Sequence, residues 1–128
     1  MKLLLDTHTF IWWDNEPEKL SQKVNDLLLD NTNEIILSVV SVWEMQIKIQ
    51  LGKLKLKLSL QEIIESQRKT NNIYILSIEL KHVLALENLS THHRDPFDRL
   101  LVTQSNIEDA YLASKDPIFA NYPVKVLW

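Results

Sequence analysis

The chain is punctuated by apolar runs too short to be helices: KLLLD (2–6), EIILS (34–38), IYILS (73–77), AYLAS (110–114) and VKVLW (124–128). The first four are almost unbroken in hydrophobicity and end in a polar residue, the pattern of a strand covered on both faces. Between the runs, apolar residues recur at helical spacing. Leu20, Val24, Leu27 and Leu28 mark 20–30, and Val42, Met45 and Ile49 mark 41–51. Further helical stretches span 59–70, 79–89 and 96–106. Ser41 and Ser59 stand as caps for the second and third stretches, and Asp95-Pro96 opens the last. This alternation predicts an α/β fold, with a parallel sheet of about five strands and helices on both faces. No linker divides residues 1–128, which are expected to form one domain. In such sheets ligands bind beyond the carboxyl ends of the strands, where the strand order switches.

Composition narrows the chemistry. Without cysteine there is no disulfide, thiolate metal site or cysteine nucleophile. The lone glycine, Gly52, excludes a P-loop or a dinucleotide fingerprint, both of which need several glycines for backbone amides to approach phosphate. No apolar run approaches the roughly 18 residues of a membrane span. MKLLLDTHTF turns polar too soon for a secretory signal. The expectation is a soluble, cytoplasmic protein. Net charge is −3, so no global field draws in nucleic acid, although Lys48, Lys53, Lys55 and Lys57 cluster in IKIQLGKLKLKLSL.

Carboxylates stand at the expected strand ends. Asp6 closes the first run, Glu44 follows the second by six residues, Asp98 precedes the fourth, and Asp116 lies two residues beyond it. Each also has a local explanation. Asp6 suits the cap of a following short helix, and Ser41-Val-Trp-Glu44 has the form of a capping box. Asp98 in DPFD would meet free amides in a first helical turn, and Asp116-Pro117 would start a turn. Taken together, four acids at one sheet edge would repel one another unless a cation lay among them. An all-oxygen donor set favours Mg2+ or Mn2+ over zinc. Such an ion would let an acidic protein act on an anionic polymer.

LLLDTHTFIWW, SVVSVWEMQIKIQLGKL, HHRDPFDRLLVTQS and ASKDPIFANYPVKVLW together resemble the PIN-domain family, specifically the VapC-type toxins of prokaryotic toxin–antitoxin modules. The resemblance runs through nearly the whole chain. It implies a PIN-like domain with Mg2+- or Mn2+-dependent endoribonuclease activity on RNA, neutralisation by a cognate antitoxin, and a homodimer. Asp6, Glu44 and Asp98 match the family's acidic triad, and Asp116 its more variable fourth acid. Thr7 and Ser114 match hydroxyl positions beside the first and last acids, and Ser38 a polar position ahead of the glutamate. Asp95 matches an aspartate of close relatives, assigned here to capping and to support of Asp98. The chain departs from many members at His8, where asparagine is common.

Other residues admit more than one reading. His8 could contact phosphate or simply start a helix. His92 and His93 lack the adjacent His-Asp of a phosphohydrolase, since Arg94 intervenes. Arg94 and Arg99 suit either phosphate or a neighbouring carboxylate. Trp12, Trp13, Trp43 and Trp128 suit base stacking or the core. Two rival functions follow: a catalytically silent PIN-like interaction module, and a phosphatase whose DTHT loop lacks the second aspartate at position 8. A phosphoacceptor receiver domain fits poorly, because no acidic pair precedes Asp6.

Overall fold

Leu3, Leu4 and Leu5 are almost wholly excluded from solvent, as expected of a strand with neighbours on every side. In the computed structural model, which describes residues 1–90 and 95–128, they form the central strand β1 (Lys2–Leu5). His92, His93 and Arg94 lie outside the described residues. β1 is flanked by β2 (Glu34–Ser38) and β4 (Tyr111–Ala113), with β3 (Tyr74–Leu76) and β5 (Val126–Leu127) at the edges. All pairings are parallel, in the order β3-β2-β1-β4-β5. The chain therefore builds outward from β1 on one side, then restarts on the other. The switch falls between β1 and β4, whose Leu5 and Ala113 are in register.

Alternate side chains of the central strands serve two cores. Leu3, Leu5, Ile35 and Leu37 pack with Phe10 of α1 (Thr7–Asn15), Val24 and Leu28 of α2 (Gln22–Leu29), and Ile63 of α4 (Leu60–Asn71). Leu4, Ile36 and Leu112 turn the other way, against Leu101 and Val102 of α6 (Pro96–Ile107) and Phe119. α3 (Val39–Gln50) contributes Met45 to the first core and Val40 to the second. The expected α/β arrangement with helices on both faces is the one observed.

Local boundaries differ at informative places. The second helical stretch begins at Val39, with Ser38 as its cap through Val40 N–H, so Ser41 is not the cap. Strand and helix abut without a loop, and Ser41 is buried inside α3. The capping-box reading of Glu44 fails with it, since Glu44 lies in the body of the helix. Residues 79–89 form a short helix α5 (Leu80–Leu84) that tightens into a 3₁₀ turn at Ala85–Asn88. Ser59 caps α4 as expected, its hydroxyl accepting from Glu62 N–H.

A buried polar clamp ties α6 to the sheet. Ser38 Oγ donates to Gln104 Oε1, and Gln104 Nε2 donates to Ser77 O at 3.3 Å. One α6 side chain thus spans the ends of two neighbouring strands. At the end of α3, Gly52 adopts φ 72° and turns the chain back, so that Lys53 N–H donates to Lys48 O at 2.8 Å. A Cβ at Gly52 would meet nothing within 4 Å, leaving only the left-handed backbone to resist substitution. Gly52→Ala is therefore expected to cost about 1–2 kcal/mol of unfolding free energy in urea denaturation, with the native fold retained.

Candidate metal centre

The site lies where the strand order predicts, at the carboxyl ends of β1 and β4. Asp6 leaves β1 and caps α1: its Oδ1 accepts from Thr9 N–H at 2.8 Å, and its Oδ2 accepts from Ser114 Oγ. Thr9 Oγ1 donates to Ala113 O at 3.0 Å and Asp6 N–H donates to the same carbonyl at 3.1 Å, holding this junction against β4. Asp6 is 6% exposed. Burial pushes its carboxyl above the ordinary value, and the hydrogen bonds from Ser114 and Thr9 pull only part of the way back.

Glu44 arrives from α3. Its Oε1 accepts from Thr7 Oγ1 at 2.6 Å, and its Oε2 pairs with Lys48 Nζ at 3.1 Å, one turn along the same helix. Asp98 is in the first turn of α6, oriented by Asp95, which accepts from Phe97 and Asp98 N–H at 2.9 and 3.2 Å. Asp116 caps the 3₁₀ turn Pro117–Asn121 by accepting from Ile118 N–H at 3.0 Å. Its own N–H donates to Ser114 Oγ at 3.0 Å. Ser114 therefore links the first acid to the last.

Asp6, Glu44, Asp98 and Asp116 line one small recess with Thr7 and Asp95, and His8 and Lys48 complete its wall. Ser114 supports the recess from behind. Ser38 does not line it, because its hydroxyl is committed to Val40 N–H and Gln104. Arg99 does not line it either, and reaches Leu86 O at 3.3 Å. Lys48 is the wall residue that sequence reasoning placed only in a lysine cluster. The signal was the i,i+4 spacing from Glu44, which sets a cation beside that acid on a helix face.

The donor set fits a hard divalent cation. The carboxylates are oxygen ligands, the chain has no thiolate, and Asp6 carries a desolvated charge that its hydrogen bonds only partly compensate. As they stand, no three acids or histidines among the described residues are close enough to share one ion. Lys48 already supplies a positive charge to Glu44.

The PIN-domain profile matches residues 3–125 of the sequence. The chain belongs to the PIN-domain family. None of the curated proteins matches it in sequence. Its fold is similar to that of a chain in VapBC2 from Rickettsia felis bound to a promoter DNA fragment. The TM-score is 0.76 at 20% identity, covering 100% of this chain and 99% of the other. DNA-bound VapBC from Salmonella typhimurium gives 0.70 at 12% identity, with 99% and 97% covered. FitAcB from Neisseria gonorrhoeae gives 0.64 at 17% identity, with 98% and 96% covered. No helix among the described residues of this PIN domain is long and apolar enough to cross a membrane.

The Asp6 environment has a signed consequence for stability. A raised folded pKa means that the folded PIN domain holds the Asp6 proton more tightly than the unfolded chain does. The charge therefore costs stability at neutral pH, and that cost is relieved as pH falls through the raised value. Asp6→Asn keeps an acceptor for Thr9 N–H while removing the charge. In thermal melts with chelator at pH 7, this variant is expected to equal or exceed the parent Tm. Below the ordinary carboxyl value of 3.8 the gain should vanish.

Proposed function

We propose that this PIN domain is a metal-dependent endoribonuclease, the toxin of a toxin–antitoxin pair, which hydrolyses RNA phosphodiester bonds with Mg2+ or Mn2+. The observation that carries the reading is the meeting of four acids from four distant segments in one recess at the β1/β4 switch point. Caps alone would not require that convergence.

Asp6, Glu44, Asp98 and Asp116 would hold the cation. Bound there, a divalent ion supplies Lewis acidity: charge neutralisation at the phosphate and easier deprotonation of water. The chain's own groups do the positioning. Ser114 and Thr9 hold the two oxygens of Asp6, Thr7 orients Glu44, and Asp95 sets the start of α6 and hence the direction of Asp98. Ser38 acts at one remove, by fixing where α3 begins and so where Glu44 falls. Lys48 holds Glu44 in place, and its charge offsets the repulsion between the recess and a phosphate.

The proposed partners are an RNA substrate, a cognate antitoxin and a second copy of the chain, in the cytoplasm. Supporting the antitoxin are the structural neighbours, which come from VapBC and FitA-containing assemblies, together with the resemblance to VapC toxins. A second reading, an interaction module without catalysis, draws on the Lys48–Glu44 pair, which neutralises part of the recess without metal.

Two measurements separate these readings. Manganese at about a hundred times its dissociation constant is expected to stabilise the parent by about 2.7 kcal/mol, seen as a rise in Tm. Asp98→Asn should lose that rise. The same substitution should slow cleavage of total cellular RNA at least 100-fold by the order of a lost metal contact, read as missing 5′ ends in fragment sequencing. An unchanged fragment pattern with Asp98→Asn would defeat the nuclease reading.

A further inference from the structure

Beyond the acidic recess the surface changes sign, and the change is organised. A groove leaves the recess at His8 and Lys48, which line both, and runs past Trp12 toward Lys53 and Lys55. His8 and Trp12 also border a neighbouring hollow against Asp116 and Pro117, so the pair stands at the mouth of the acid site.

The lysines are presented by construction. After Gly52 turns the chain, Leu54 and Leu56 pack against the first of the two cores. The strict alternation KLKLK then leaves Lys53, Lys55 and Lys57 exposed. Lys48 is paired with Glu44 and Lys19 with Glu16. Among the described residues, by contrast, no acid pairs with Lys53 or Lys55. An anionic strand following the groove from the acids would therefore meet uncompensated positive charge.

Trp12 is half-buried. Its edge contacts Trp128 at 5.9 Å and 64°, and the His8 ring lies 5.9 Å away, tilted by 43°. The core side is thereby fixed, and on the groove side the Lys19 ammonium lies 6.0 Å from the ring centroid, so a base stacking there would have to displace it. A rigid aromatic surface followed by unpaired lysines is the arrangement that binds single-stranded nucleic acid without reading its sequence, through stacking and phosphate contacts. A duplex would keep its bases stacked on one another and could not use Trp12 in this way.

We propose that unpaired RNA leaves the acidic centre along this groove, with a nucleobase beside the cleaved phosphate packed on Trp12 and His8, and the following phosphates on Lys53 and Lys55. The inference rests on the nuclease reading for the identity of the cleaved bond, but its test does not require turnover.

Binding of a fluorescent single-stranded RNA oligonucleotide is measured by anisotropy in chelator, using the full-length chain. Trp12→Leu, which keeps apolar packing, is expected to weaken binding about 5- to 150-fold by loss of one stacked base. Lys53→Ala/Lys55→Ala, on exposed side chains that cannot compromise the fold, should weaken binding and reduce the salt slope of log affinity by about 1.4, or about 0.7 per phosphate contact. Lys23→Ala/Lys69→Ala removes the same charge from α2 and α4 and should leave both quantities near the parent. Equal affinity and salt slope for the Lys53/Lys55 pair and the parent would overturn the groove, as would equal losses from both lysine pairs. Asp98→Asn serves as the separate control: if it binds RNA through the groove but still cleaves, the nuclease reading fails and the groove stands.

Discussion

A carboxylate buried at the edge of a low-dielectric core, in a recess lined by three further acids, is the constraint around which this PIN domain is organised. Asp6 is nearly sealed from water, and Glu44, Asp98 and Asp116 face the same recess. Burial alone raises the Asp6 carboxyl, and acids gathered in one recess add to that cost unless donors or cations intervene. The chain supplies donors generously. Thr9 N–H and Ser114 take both oxygens of Asp6, Thr7 and Lys48 take both oxygens of Glu44, and Ile118 N–H meets Asp116. These bonds fix the direction of each carboxylate, but burial still leaves Asp6 with a raised pKa. The residual cost is what a bound cation would relieve.

The parallel sheet makes this crowding possible without strain in any one element. Asp6, Asp98 and Asp116 stand just beyond a strand end or at a helix start, where backbone N–H groups are free to receive a carboxylate, while Glu44 reaches the recess from the body of α3 and takes its donors from side chains. Asp6, Asp95 and Asp116 each cap a helical turn. Capping and site building are therefore compatible roles, since at this edge of the sheet a helix N-terminus faces the crevice. The Ser38–Gln104–Ser77 clamp sits one layer below and fixes α6 to the strand ends, so that Asp98 keeps its place relative to Glu44.

Much of this was legible in the sequence, for physical reasons that differ by residue. KLLL, EIIL and YLA read as strands because burial on both faces leaves no polar alternation to confuse them with surface strands. Asp95-Pro96 read as a helix start because proline lacks the very N–H that a first helical residue cannot use. Ser41 misled because Ser-x-x-Glu is a local pattern, whereas the true boundary was set by the sheet. Ser38 ends β2 in register with Leu76 and caps α3 in the same step, which leaves no room for a loop. The reach of Gln104 across two strands was illegible, since its partners are distant in sequence and a buried glutamine has no local signature. Lys48 was visible as a charge but not as a wall of the recess, because its direction depends on how α3 packs.

Directness favours a measurement of the cation itself. Crystals of the PIN domain soaked in manganese and measured at its absorption edge should show an anomalous peak in the recess bounded by Asp6, Glu44, Asp98 and Asp116, with the Lys48 ammonium displaced from Glu44. A recess without anomalous signal at saturating manganese, with Lys48 still on Glu44, would contradict the account.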